Sequence, residues 1–105
     1  MCSSDLVVAA AEAFEADRRV REWNPAVVAE RTRVLGGLEA GLSVLPEPLR
    51  DERAERALRR RTRALLHGPT VRAREAARAG DAMTYAAALT ELASIPVPTV
   101  AADAR

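Results

Sequence analysis

Apolar residues along this chain recur at helical spacing, and Pro and Gly separate the runs. No segment shows the apolar–polar alternation of a half-buried strand, so the pattern predicts an all-α chain of about five helices. In 7–22 there is no Gly or Pro, and Val7, Ala10, Ala11, Phe14 and Ala16 lie among Glu12, Glu15, Asp17 and Arg18. Asn24-Pro25 then reads as a stop and a fresh start, with Asn24 capping and Pro25 in the first turn of a second helix over about 25–45. Val27, Val34, Leu38, Leu42 and Leu45 form one aliphatic stripe on that helix, with Leu35 beside it. Gly36, Gly37 and Gly41 weaken it but let another backbone come close. Pro46-Glu47-Pro48 opens a third helix over about 48–67, acidic at its start (Asp51, Glu52, Glu55) and basic at its end (Arg59, Arg60, Arg61, Arg63), with Leu58, Leu65 and Leu66 apolar. Gly68-Pro69 is a stop, and Thr70 caps a short fourth helix ending at Gly80, which suits a left-handed C-terminal position. Asp81 caps a fifth helix to about 93, with Tyr85, Leu89 and Leu92 on one face, and 96–105 read as a frayed, disordered tail.

Composition narrows the function classes. A chain of 105 residues holds one small domain, and its three aromatics, Phe14, Trp23 and Tyr85, leave a core of Ala, Val and Leu. Helices so thinly packed are expected to cover one another across a dimer. A net charge of +1 excludes a strongly basic, non-specific nucleic-acid binder. Every basic residue is Arg, as in a GC-rich coding sequence. The lone Cys2 can form neither an internal disulfide nor a Cys-based metal site. With no long apolar run and no signal peptide, the expected place is the cytoplasm, away from membranes. Residues 1–6, Met-Cys-Ser-Ser-Asp-Leu, back-translate to the end of a sequencing adapter and are expected to be a non-native leader before a chain cut from something longer.

Candidate chemistry is sparse. His67 is the only His, so no His metal cluster forms in one protomer, and a helix-end role is expected of it. The glycines at 36, 37 and 41 lie within a helix rather than after a strand, unlike a phosphate loop. The four Arg at 59, 60, 61 and 63 read as a solvated face rather than a phosphate-binding one. Asp51 and Glu52 point to different sides of a helix and cannot share an acid–base task. No catalytic, cofactor-binding or metal-ligating set is assigned.

The stretch RRRTRALLHGPTVRAREAARAGDAMTY, followed by AAALTELASI, resembles the final segment of glutamyl-tRNA reductases. There a basic helix ends in Leu-Leu-His-x-Pro-Thr, followed by Gly-Asp and a closing helix with Tyr, Ala and Leu-x-x-Leu. These features fall on Leu65, Leu66, His67, Pro69, Thr70, Val71, Gly80, Asp81, Tyr85, Leu89 and Leu92, a structural rather than chemical set. Trp23-Asn24-Pro25 sits at the family's break between its long spinal helix and its dimer helices. The chain departs from the family at Arg61, Thr62, Arg63 and Ala64, where the family pattern has two apolar residues followed by Asn and a basic residue.

The resemblance implies an antiparallel helical dimerisation domain over 24–95, preceded by the end of a spinal helix at 7–23. It also implies a parent in which a Cys thiolate attacks glutamyl-tRNA and NADPH reduces the thioester to glutamate 1-semialdehyde for tetrapyrrole (porphyrin) biosynthesis. Cys and cofactor turn belong to other domains of that parent, which also engage the tRNA, so this chain alone is expected to be an inactive fragment with no cofactor and no metal. Its expected partner is a second copy, and the expected homodimer interface comprises Val27, Val34, Leu35, Leu38, Leu42, Leu45, Leu58, Leu65 and Leu66. Three alternatives stand beside this: a free-standing helical dimer that recruits another protein, a small Arg-rich nucleic-acid-binding regulator, and a stand-alone all-α enzyme.

Overall fold

A computed structural model describes residues 2–100, with side-chain burial from Ser4 onward. The described residues fold into three α-helices: α1 (Cys2–Ser43), α2 (Glu52–Ala79) and α3 (Ala82–Ala93), with a single 3-10 turn at Glu47–Leu49 between the first two. Each helix packs on the other two. They form a narrow rod 71 × 23 × 17 Å.

Three helices stand where about five were expected, because neither internal Pro breaks its helix. Pro25 lies inside α1 and Pro69 inside α2. Each removes one backbone N–H, leaving the carbonyls of Arg21 and Leu65 without their helical donors. At Pro69 tertiary packing overrides that loss, whereas Pro25 is exposed. Pro69 is buried, and its ring takes the core position between Thr62, Leu66, Ala73 and Ala76 on the inner face of α2. The residue before it is Gly68, whose missing Cβ relieves the clash that a proline imposes on its predecessor. Thr70 is therefore no cap: its hydroxyl donates to the Leu66 carbonyl at 2.6 Å and accepts from Arg31 Nη1 at 3.1 Å. Asn24 is likewise within α1, and its Oδ1 accepts from Arg74 Nε at 3.3 Å. His67 stands mid-helix rather than in a last turn. The third helix starts at Glu52 instead of 48, with Pro46, Glu47 and Pro48 in or beside the 3-10 turn.

Asp51, expected inside the first turn, is instead the cap, while the expected boundaries at Gly80 and Asp81 coincide with the structure. Asp51 caps α2, its carboxylate accepting from the N–H groups of Arg53 and Ala54 at 3.0 and 3.3 Å. Gly80 ends α2 at φ 72°, and the Asp81 N–H returns to the Ala76 carbonyl at 2.9 Å. Asp81 then caps α3, accepting from the Thr84 N–H at 3.0 Å and from its hydroxyl at 2.6 Å. These bonds from Thr84, the hydroxyl first, hold the Asp81 carboxyl below its ordinary range.

The core lies in two connected stretches. Val27, Val34, Leu66, Ala73, Ala88 and Leu92 fill the centre, with Leu35, Tyr85, Leu89 and Ile95 at its margin. Leu38, Leu42 and Val100 fill the other end, flanked by Leu45 and Leu58. Thr62, one of the hydrophilic departures from the family pattern, is 2% exposed and donates to the Leu58 carbonyl at 2.8 Å, so its burial leaves no donor unmet. Part of the expected tail belongs to this core. A Cβ on Gly37 would lie 2.6 Å from Val97, and one on Gly41 3.0 Å from Val100. These two α1 glycines are the seats of the returning chain, while Gly36 faces open space. Residues 101–105 of the expected tail lie outside the described residues, as does Met1 of the expected leader; α1 already includes Cys2.

Candidate functional site

The nine aliphatics expected at an interface separate into three groups. Val27, Val34, Leu38, Leu42 and Leu66 are covered within one chain. Leu35, Leu45 and Leu58 are half-buried, and Leu65 stands 57% exposed on α2. The surface left for a partner therefore consists of side chains that the single-chain fold does not use.

That surface has two parts on α2. Its apolar side begins in a groove of about 320 Å³ between the end of α1 and the start of α2, lined by Leu45, Leu49, Ala54, Ala57, Leu58 and Arg61. Glu55 sits at its edge, 8% exposed, its carboxylate held by Arg50 Nη2 at 2.7 Å. Along the same side the helix continues through Leu65, Gly68 and Val71. The second part is a basic ridge of Arg53, Arg56, Arg60 and Arg63, three or four residues apart and so on one face. Arg56 pairs with Glu52 at 3.2 Å, and no other ridge arginine has an ion pair among the described residues.

The four-Arg run does not form one face. Arg59 turns to α1 and grips Glu39 through two bonds, 2.7 and 3.0 Å, which hold that carboxyl below its ordinary range; Arg61 borders the groove; Arg60 and Arg63 belong to the ridge.

Two α1 arginines close the other helices. Arg19 donates to the carbonyls of Ala77 and Arg78 at the end of α2, 3.0 and 2.8 Å away. Arg33 donates to the carbonyls of Leu92 and Ala93 at the end of α3 and of Ile95 just beyond it, at 3.3, 3.2 and 2.8 Å. Both place a cation where carbonyls lack helical donors and the dipole is negative. Sequence reasoning missed them; with Arg so frequent, neither residue carries a distinguishing local signal.

Several motif residues pack within the fold, and others stay exposed. Tyr85 donates to the Trp23 carbonyl at 2.6 Å, with the two rings 4.9 Å apart and tilted by 51°. Burial pushes the Tyr85 hydroxyl up from its ordinary pKa. Leu92 is buried and Leu89 half-buried against the core, and His67 is exposed. Among the described residues no group of three or more His, Cys, Asp and Glu could hold a metal ion, and no helix is long and apolar enough to cross a membrane.

Residues 4–95 match the family model for the glutamyl-tRNA(Glu) reductase dimerisation domain. The chain belongs to that family. It is 41% identical over 108 residues to the glutamyl-tRNA reductase of Pseudarthrobacter chlorophenolicus, covering 97% of this chain and 24% of the relative. It is also 41% identical over 104 residues to that of Renibacterium salmoninarum (93% and 24%), and 39% identical over 106 residues to glutamyl-tRNA reductase 1 of a Nocardioides species (95% and 25%). The chain thus spans about a quarter of the length of these curated relatives. No solved structure gives a significant match. In this chain, residues Leu65 to Leu92 run through α2 and α3, with Gly80-Asp81 as the turn between them.

Proposed function

We propose that this chain is the dimerisation domain of a glutamyl-tRNA reductase and that two copies form a homodimer. The family match over 4–95 carries the reading. The long α1 supports it, because its N-terminal part runs on past the bundle as the end of a spinal helix would. The parent would reduce glutamyl-tRNA with NADPH in the cytoplasm. In such a parent a Cys thiolate would displace the tRNA from the aminoacyl ester, and NADPH would supply the hydride that releases glutamate 1-semialdehyde and returns the thiolate. Domains other than this one would supply that Cys, the cofactor site and the tRNA contacts. This chain supplies rigidity and a pairing surface, holding two catalytic arms at a fixed separation.

The inner residues Val27, Val34, Leu38, Leu42 and Leu66 act from behind in this reading, by keeping α2 straight and in place, while Leu65 and its neighbours touch the second copy. Sedimentation of the chain from about 1 to 100 µM tests it, a range spanning the strength of ordinary homodimers. A dimer is expected; a monomer throughout would overturn the reading.

A further inference from the structure

The geometry points to a two-fold seam in which α2 packs antiparallel against α2 of a second copy, with the axis passing at Gly68. This inference rests on the homodimer reading and names the surface it uses. Seven-residue steps bring Arg61, Gly68 and Glu75 nearly into line on the helix surface, away from the buried Thr62, Leu66, Pro69 and Ala73. Leu65, 57% exposed, and Val71, 37% exposed, lie three residues either side of Gly68.

That arrangement is complementary to itself. In an antiparallel pair centred on Gly68, positions equidistant from 68 face one another. Leu65 meets the partner's Val71. Arg61 meets the partner's Glu75, each about 10 Å from the axis at 1.5 Å per residue. Both are exposed, and neither has an ion pair among the described residues, although seven other carboxylate–guanidinium pairs are made. Gly68 provides the notch at the crossing. The nearest neighbour a Cβ there would meet is the Arg72 guanidinium at 3.6 Å, and Arg72 is engaged by Glu91 on α3. Gly68 adds no side chain of its own at this point, and the Arg72 guanidinium is what a second helix would meet beside it. The adjacent basic ridge is a poor alternative, because Arg53, Arg56, Arg60 and Arg63 set against a copy of α2 would gather like charge.

Charge exchange in the whole chain tests the seam by sedimentation equilibrium, with circular dichroism as a check on folding. Arg61→Glu sets two carboxylates together and Glu75→Arg two guanidiniums; each is expected to weaken dimerisation by tenfold or more, and the double variant to return to within about threefold of the unaltered chain. Gly68→Cys in a Cys2→Ser background is expected to oxidise to a covalent dimer, since the two-fold axis brings residue 68 against its copy. An unaltered chain that dimerises, with single variants as tight as itself and no Gly68→Cys cross-link, overturns the seam while the homodimer stands. An unaltered chain that stays monomeric at 100 µM (on the order of the weakest ordinary homodimers) overturns both.

Discussion

One helix, α1, behaves in two ways. Residues 4–15 are all exposed, including Leu6, Val7, Val8 and Phe14, whereas Val27, Val34 and Leu38 further along are at most 1% exposed. Apolar content does not explain the contrast, since both stretches carry branched aliphatics, Leu6, Val7 and Val8 in one and Val27, Val34 and Leu38 in the other. The difference begins at Arg19 and Trp23, where α2 ends and α3 starts beside α1. Starting a helix is costly while extending one is cheap, so the arm holds its form as an extension of a helix fixed by the bundle. Stability thus resides in the bundle, and the arm is carried by it.

The strongest way to break this contrast is to open the bundle. Leu66 is fully buried at the meeting of the three helices, and Leu66→Ala removes methyl groups that little can replace in an Ala-rich core. A loss of about 3 kcal/mol is expected in urea denaturation, a large share of what a domain this small commands. The arm should lose helicity no later than the bundle, because it has no support of its own. A loss below about 1 kcal/mol would mean that the core is looser than its burial implies.

How much of this was legible beforehand depended on whether the signal was local. Gly80 and Asp81 announced a helix end and a helix start because a cap acts within a few residues, and the structure has both. Pro25 and Pro69 misled for the same reason. Their local effect is to break a helix, and only the buried setting of the Pro69 ring, with Gly68 before it, shows why α2 continues. The stripe Val27–Val34–Leu38–Leu42 was readable as buried, but periodicity alone cannot distinguish a face covered by the same chain from one covered by a copy. The docking of Val97 and Val100 on Gly37 and Gly41 depends on sixty residues of intervening chain, and the contacts of Arg19 and Arg33 similarly join distant segments. At the surface, the resemblance located the domain, and the fold was needed to show which of its aliphatics remain free.

A smaller effect sharpens the boundary between the two regions. Tyr85 ties α3 to α1 at the Trp23 carbonyl, where the bare arm meets the bundle. Tyr85→Phe keeps the ring contact and removes the bond, at an expected cost of about 1 kcal/mol. Because burial raises the folded-state pKa of this hydroxyl, its contribution is fully present below the unfolded value near 10 and is lost as pH rises through the folded value. The stability difference between the unaltered chain and Tyr85→Phe should therefore shrink in alkali. A difference that is constant to pH 11.5, beyond about one unit above an ordinary tyrosine, would show that ionisation of this hydroxyl is not coupled to folding.

The smallest expected effect lies in the arm itself. Phe14 is 63% exposed, so Phe14→Ser removes a large apolar side chain that the fold already leaves in water. The stability of the bundle should change by less than about 0.5 kcal/mol. Hydrogen exchange gives the sharper reading, because amides in 4–16 should exchange well before those of 27–42 in both proteins, the arm opening without the bundle. Suppose instead that Phe14→Ser lowered stability by several times that amount, and did so more strongly as protein concentration rose. The arm would then be buried in the assembled protein, and the apolar run from Leu6 to Phe14 would belong to the pairing surface, extending it well beyond Gly68.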